Sequence, residues 1–195
     1  MMGERRKRAG RLRRTGGAVE FAALAARGAT GVQVLGWTIL AHPFFHSQIE
    51  KLDVAAESES IKSPGGPGAN RTLLAHLLDL AFDKIPRDPG NSAFRHGGAL
   101  EGNRKSWFRA KTGNGRYRLF YRFQSSARLI VYAWVNDEDT LRAYGDRTDA
   151  YAVFARMLDA GNPPDDWQSL LAAASERSAA QRLTTVAKRR SPGKK

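Results

Sequence analysis

"WFRAKTGNGRYRLFYRFQSSARLIVYAWVN", residues 107–136, reads as three consecutive strands and decides the fold. Gly113-Asn114, flanked by Thr112 and Gly115, is turn chemistry between two alternating runs and predicts a tight β-hairpin. "RLIVYAWVN" at 128–136 follows a short polar link and is rich in β-branched and aromatic residues, so a third strand of a meander is expected. A symmetric hairpin pairs Lys111 with Arg116, Arg109 with Arg118 and Trp107 with Phe120. Alternation then sets these six side chains and Arg122 on one face. Phe108, Ala110, Tyr117, Leu119, Tyr121 and Phe123 fall on the other. In the third strand Leu129, Val131, Ala133 and Val135 alternate with Ile130, Tyr132, Trp134 and Asn136.

The first of these faces raises an electrostatic question. The hairpin carries five basic side chains and no acidic one. Like charges placed opposite each other across two strands destabilise the pair. Beside the cations the pattern sets Trp107, Phe120, Tyr132 and Trp134, rings of the kind on which single-stranded RNA is stacked. Arginine outnumbers lysine, as bidentate phosphate recognition favours. The pattern is that of a polyanion-binding face, and the spacing alone leaves open whether catalysis accompanies binding.

The rest of the chain supplies the frame. "WTILAHPFF" reads as a first strand ending at Pro43. Phe45, Ile49, Leu52 and Ala56 then follow helical spacing until the Gly/Pro loop "SPGGPG" at 63–68. Asn70 is positioned to cap a second helix, whose Leu73, Leu74, Leu77, Leu78, Ala81, Phe82 and Ile85 form an apolar stripe before Pro86 stops it. The Pro/Gly-rich stretch 86–106 is long for a structureless loop, and "AFRHG" within it reads as a brief edge strand. Asn136 is positioned to cap a short turn holding Asp137, Glu138 and Asp139. Asp149 starts the helix "AYAVFARMLDAG", and "DDWQSLLAAAS" adds a further helical segment. The order strand–helix–helix–strand–strand–strand, then helices, predicts an α+β fold. Its antiparallel-rich twisted sheet has helices packed mainly on one face, the helical hairpin among them, and further helices at the C-terminal end.

The 195 residues carry 32 Lys+Arg and 19 Asp+Glu, a formal charge of +13 that sits mainly in the tails. Residues 1–14 contribute seven basic groups and one Glu; residues 188–195 contribute five basic groups and no acid. From Gly36 to Ser175 there are 17 basic and 16 acidic side chains, which leaves +1. Within that span the charge is divided unevenly. Nine basic groups face Glu101 alone between Arg95 and Arg128, whereas 129–175 holds three bases against eight acids. Residues 1–35 are read as a basic, disordered arm, 36–175 as the functional domain and 176–195 as a basic, disordered tail. Arg13-Arg14 before "GGAVEFAALAA" has a twin-arginine look, but Glu20 and Arg27 interrupt the apolar region.

No cysteine is present, which excludes disulfides and thiolate-ligated metals and fits a reducing cytoplasm. No apolar run reaches the ~18 residues of a membrane span. His42 and His46 are separated by Pro43 and lack a third ligand at metal spacing, so no metal site is expected. His76 reads as exposed, and His96, beside Arg95 and two glycines, as the better candidate for a functional histidine.

"GWTILAHPFF", "FRHGGALEG", "WFRAKTGNGRYRLFYRF", "AWVNDEDTLRAYG", "TDAYAVFARML" and "GNPPDDW" resemble the YhaV toxin family, within the wider RelE-type mRNA interferases, from about Gly36 to Leu171. Thr112 stands where that family usually has an aromatic, and the 58–69 loop is Gly/Pro-rich where the family's is charged. The resemblance implies a RelE-like fold and a cytoplasmic bacterial endoribonuclease toxin of a type II toxin–antitoxin system, held inactive by a PrlF-type antitoxin. It also implies metal- and cofactor-independent cleavage of mRNA, in which the substrate 2′-OH attacks the adjacent phosphate. Ribosome dependence and operator DNA binding through the antitoxin complex stay open. On this basis Arg109, Lys111, Arg116 and Arg118 are the expected catalytic cations, with Tyr144 or Tyr151 as the acid/base phenol. Arg95, His96, Trp107, Phe120, Arg122, Trp134, Arg142 and Tyr151 are the expected substrate contacts. The competing expectation is a non-catalytic nucleic-acid-binding module, or an inactive toxin relative that only docks its antitoxin.

Overall fold

The computed structural model describes residues 31–66, 68–95, 100, 104–143 and 145–189. Five strands form one sheet: β1 (Val32–Val34), β2 (Trp37–Ala41), β3 (Phe108–Thr112), β4 (Tyr117–Gln124) and β5 (Leu129–Val135), in the order β1-β2-β5-β4-β3. β2 runs parallel to β5 and every other neighbouring pair is antiparallel. The α+β class and the meander are as the sequence predicts.

Between β2 and β3 the chain forms the helical hairpin. α1 (Pro43–Lys62) opens with Pro43 in its first turn, where no amide hydrogen is needed, and His42 Nδ1 accepts from the Phe44 amide. Phe45, Ile49 and Ala56 turn inward. α2 (Ala69–Asp79) continues through a π-helical turn, Leu80–Lys84, into a last turn, Ile85–Arg87. Its cap differs from the one expected. Gly68 precedes the helix without a side-chain cap, and the Glu59 carboxylate of α1 accepts from the amides of Asn70 (3.1 Å) and Arg71 (3.3 Å). A carboxylate at a helix N-terminus satisfies free amides and meets the positive end of the dipole, so Asn70 is not needed as the cap.

The two faces of the sheet are both covered. One carries α1 and α2 against Ile39, Phe108, Leu119, Tyr121, Ile130 and Tyr132. The other carries α3 (Ala150–Asp159) and α4 (Trp167–Ala174) against Leu40, Trp107, Phe120, Val131 and Trp134. Asp149 and Asp166 cap these two helices, accepting from the amides of Tyr151 and Ser169. The folded unit also extends beyond 36–175. β1 lies inside the stretch read as an arm, and α5 (Arg177–Arg189) inside the stretch read as a tail. Leu183 of α5 is buried in the first core, with Val186 and Ala187 packed beside it, which is the amphipathic spacing of a docked helix. Residues 1–30 and 190–195 lie outside the described residues.

Two register findings change what the faces hold. Thr112 pairs with Tyr117, Lys111 with Arg118 and Arg109 with Phe120, so the hairpin loop has four residues and Arg116 lies in it. Gly113, Asn114 and Gly115 all take positive φ there. A Cβ on Gly113 would stand 2.5 Å from the Tyr117 ring, so this position tolerates only glycine without rearrangement. The two opposed cation pairs expected from a symmetric hairpin thus become one, Lys111 against Arg118. In the next pairing Phe120 meets Trp134 but Tyr121 meets Tyr132, which leaves Ala133 as an extra residue in β5. This bulge breaks the alternation. Tyr132 therefore turns to the helical-hairpin side, its ring centroid 5.4 Å from that of Phe45.

Burial also fixes a pH response. His42 and His46 are buried at the start of α1, and loss of hydration drives both imidazoles down from 6.5 to about 4. The nearby Arg182 charge pushes His46 the same way. In the unfolded chain both take up protons near 6.5, so their stabilising effect is full above that pH and lost as pH falls toward 4. The loss amounts to roughly 3 kcal/mol per histidine at the bottom of that window. Urea midpoints should therefore fall between pH 7 and pH 5, and fall less in His46→Gln; an equal drop in that variant would contradict the assignment.

Candidate cationic site

Arg109 comes from the edge strand β3 and Arg118 from its neighbour β4, on the sheet face that α3 covers. Tyr151, in the first turn of α3, meets both. The Arg109 Nε–H donates to the Tyr151 Oη at 2.8 Å, and its Nη1 donates to the Ala93 carbonyl at 2.6 Å. Ala93 belongs to a 3-10 turn, Ser92–Phe94, which stands where a short edge strand was expected. The Arg118 guanidinium carbon lies 5.9 Å from the centroid of the Tyr151 ring, and that of Arg142 lies 4.9 Å from it. Three guanidinium groups therefore converge on one phenol.

These groups are nearly enclosed: Arg109 is 8% exposed, Arg118 5% and Tyr151 6%. Arg142 forms an ion pair with Asp149. Among the described residues no carboxylate pairs with Arg109 or Arg118. Arg118 Nη1 donates to the carbonyls of Gly115 (2.5 Å) and Tyr117 (2.9 Å), while its Nε is buried without an acceptor. Lys111 and Arg116 are exposed toward the hairpin loop. Arg95 is exposed on the far side of β3, its guanidinium carbon 4.4 Å above the Phe108 ring.

Several expected contacts lie elsewhere. Trp107, Phe120 and Trp134 are buried under α3 and α4: Phe120 stacks on Phe154 at 4.1 Å, and Trp107 meets it edge-on at 5.0 Å. They offer no open ring face to a base, because the basic face of the hairpin is also half of a core. Arg122 is sandwiched between Trp107 and Trp167, at 5.6 and 5.5 Å, and donates to the Asp165 carbonyl. Burial lowers its pKa from the usual arginine value, and it clamps the loop before α4 instead of facing a substrate. His96 and Tyr144 lie outside the described residues.

One contributor escapes the sequence pattern. Asn136, read as a cap, is buried, and the cap of the Glu138–Thr140 turn is Asp137. The Asn136 Oδ1 accepts from the Arg118 amide at 2.5 Å, and its Nδ2 donates to the carbonyls of Arg116 (3.3 Å) and Thr140 (2.9 Å). This knot, with the Arg142 amide donating to the Arg116 carbonyl at 3.1 Å, brings the loop carrying Arg142 up to β4. A polar residue ending a strand of seven buried residues was the available signal. Among the described residues no group of three or more His, Cys, Asp or Glu is placed to hold a metal ion, and no helix is long and apolar enough to cross a membrane.

Three arginines gathered on one phenol, with Asp149 the carboxylate paired among them, give this small α+β domain a site whose charge suits an anion. Comparison with known proteins narrows the class. Residues 39–175 match the Toxin_YhaV family, described as a toxin with endonuclease activity, of a toxin–antitoxin system. The toxin YhaV of Escherichia coli O6:H1 (strain CFT073) is 43% identical over 143 residues, spanning 71% of this chain and 92% of that relative. The ribonuclease toxin YhaV of Escherichia coli K12 is 42% identical over the same shares. No solved structure matches. The chain belongs to the YhaV toxin family: it is the toxin, with endonuclease activity, of a toxin–antitoxin system.

Proposed function

We propose that this toxin is a metal-independent endoribonuclease that cleaves mRNA, thereby stopping translation and growth, and that a PrlF-type antitoxin neutralises it. The observation that supports this reading best is the convergence of Arg109, Arg118 and Arg142 on Tyr151, with Arg109 and Arg118 unneutralised among the described residues.

The chemistry follows from what those groups offer. The 2′-hydroxyl of a nucleotide gives its proton to a water molecule as its oxygen attacks the adjacent phosphorus. The P–O5′ bond breaks, and the 5′-oxygen leaves with a proton, giving a 2′,3′-cyclic phosphate and a 5′-hydroxyl. Negative charge builds on the non-bridging oxygens of the crowded phosphorus. Fixed N–H donors aimed at that charge from a water-poor wall are a large catalytic term. Arg109 has five N–H groups, of which Tyr151 and Ala93 take two. The buried Arg118 Nε has none of its acceptors in place, a deficit of about 1–3 kcal/mol that a phosphate oxygen would remove. The Tyr151 oxygen accepts from Arg109, which leaves its own hydrogen to donate, in the sense a leaving oxygen needs. Exposed Lys111 and Arg116 draw the strand in. Tyr144 remains a second phenol for this role.

The test is cleavage of RNA by the purified toxin in excess EDTA, with and without the antitoxin. Cleavage that persists in EDTA and stops on addition of the antitoxin is expected. RNA bound but left intact would favour a non-catalytic binding module, and cleavage abolished by EDTA would overturn metal independence.

A further inference from the structure

We propose that Asp149 is a positioning residue for the cluster: it caps α3 and anchors Arg142 at once, and so holds the Tyr151 phenol between the guanidinium groups. The proposal rests on the ribonuclease reading above.

A helix cap needs one oxygen. The Asp149 Oδ1 supplies it, accepting from the Tyr151 amide at 2.9 Å, and serine, threonine or asparagine would serve as well. The second oxygen does more. Oδ2 accepts from the Ala143 amide at 2.7 Å and from Arg142 Nη1. Asp149 is 4% exposed, so both oxygens work out of bulk water, where the ion pair is little screened. One carboxylate therefore ties three things together: the first turn of α3, the loop at 142–143, and the guanidinium 4.9 Å from the Tyr151 ring. The phenol oxygen lies 2.8 Å from Arg109 Nε as a consequence of where that turn begins.

Charge gives the role a signature that mere packing lacks. Asp149 neutralises Arg142. Removing the carboxylate while keeping the cap leaves the site more positive but its tyrosine less firmly held. Binding and turnover should then move apart, with phosphate attraction kept or strengthened and transition-state alignment lost. A misplacement of the order of 1 Å costs as much as ~10²-fold in rate.

Asp149→Asn and Asp149→Ser both retain an oxygen for the Tyr151 amide. Each is compared with the wild type for kcat and KM on a synthetic RNA, alone and combined with Tyr151→Phe, with near-UV circular dichroism to confirm folding. The expected result is a kcat lowered ~10- to 100-fold with KM unchanged or lower. No further loss of kcat is expected in the Tyr151→Phe background. A wild-type kcat, a rise in KM with kcat unchanged, or the same loss in both backgrounds would overturn the proposal while the ribonuclease reading stands. Failure of both variants to fold would mark Asp149 as structural and overturn it equally. A wild-type protein that does not cut RNA would overturn the reading itself and the proposal with it.

Discussion

Arg109→Ala is expected to lower kcat for RNA cleavage by about 10²- to 10³-fold, the size of effect seen when one fixed donor to a developing oxyanion is removed. KM should change much less, since Lys111 and Arg116 remain to hold the strand. The substitution also strips a donor from the Tyr151 oxygen and from the Ala93 carbonyl. The Tyr151 oxygen, left without that donor in a nearly closed site, costs about 1–3 kcal/mol of stability, whereas water can replace the donor at the exposed Ala93. Arg109→Lys separates the two effects. An ammonium restores the charge but cannot reach Tyr151 and Ala93 with the planar fork that joins them now. It should recover stability more than rate. Single-turnover cleavage beside a urea titration measures both, and a folded Arg109→Ala that cuts at the wild-type rate would remove Arg109 from the chemistry.

Phe120→Ala should be the most damaging single change to the fold, costing about 3–5 kcal/mol. Its ring is fully buried, stacked at 4.1 Å on Phe154 and 5.7 Å on Trp134, and meets Tyr151 edge-on at 5.5 Å. Removing it hollows the seam between the sheet and α3 and undercuts the support of Tyr151. Against a total stability of about 5–15 kcal/mol, that loss threatens folding at 37 °C. Urea denaturation at 25 °C gives the value directly. A cost below about 1 kcal/mol would mean that this face is open, as a hairpin with rings beside cations suggested.

Phe120 marks where the sequence stopped being legible. The hairpin, the third strand, both long helices and the α3 cap could be read because each rests on local chemistry: turn residues, periodicity, a capping aspartate. The occupant of the second face could not. Alternation gives which side chains share a face, but α3 and α4 arrive from thirty or more residues further along the chain. The same limit hides the bulge at Ala133, since one extra residue is a property of the pairing and not of either strand. For the site, Arg109, Arg118, Arg142 and Tyr151 were all singled out from sequence. Lys111 and Arg116 remain exposed candidates, while Arg122 and the three buried rings belong to packing. Asn136 and the second oxygen of Asp149 act across loops, through contacts that no spacing encodes. α5 was masked by its charge: as part of a basic tail it reads as solvated, yet Leu183, Val186 and Ala187 form a stripe.

The claim on which the account turns is that the RNA supplies its own nucleophile. The most direct measurement follows the ends of a 5′-labelled RNA cut by the wild-type toxin in EDTA, beside the same RNA carrying a single 2′-deoxynucleotide at the cut position. A 2′,3′-cyclic phosphate or 3′-phosphate is expected on the upstream fragment, with no cleavage at the deoxy position. A 3′-hydroxyl end, or cleavage that continues past the missing 2′-OH, would contradict it.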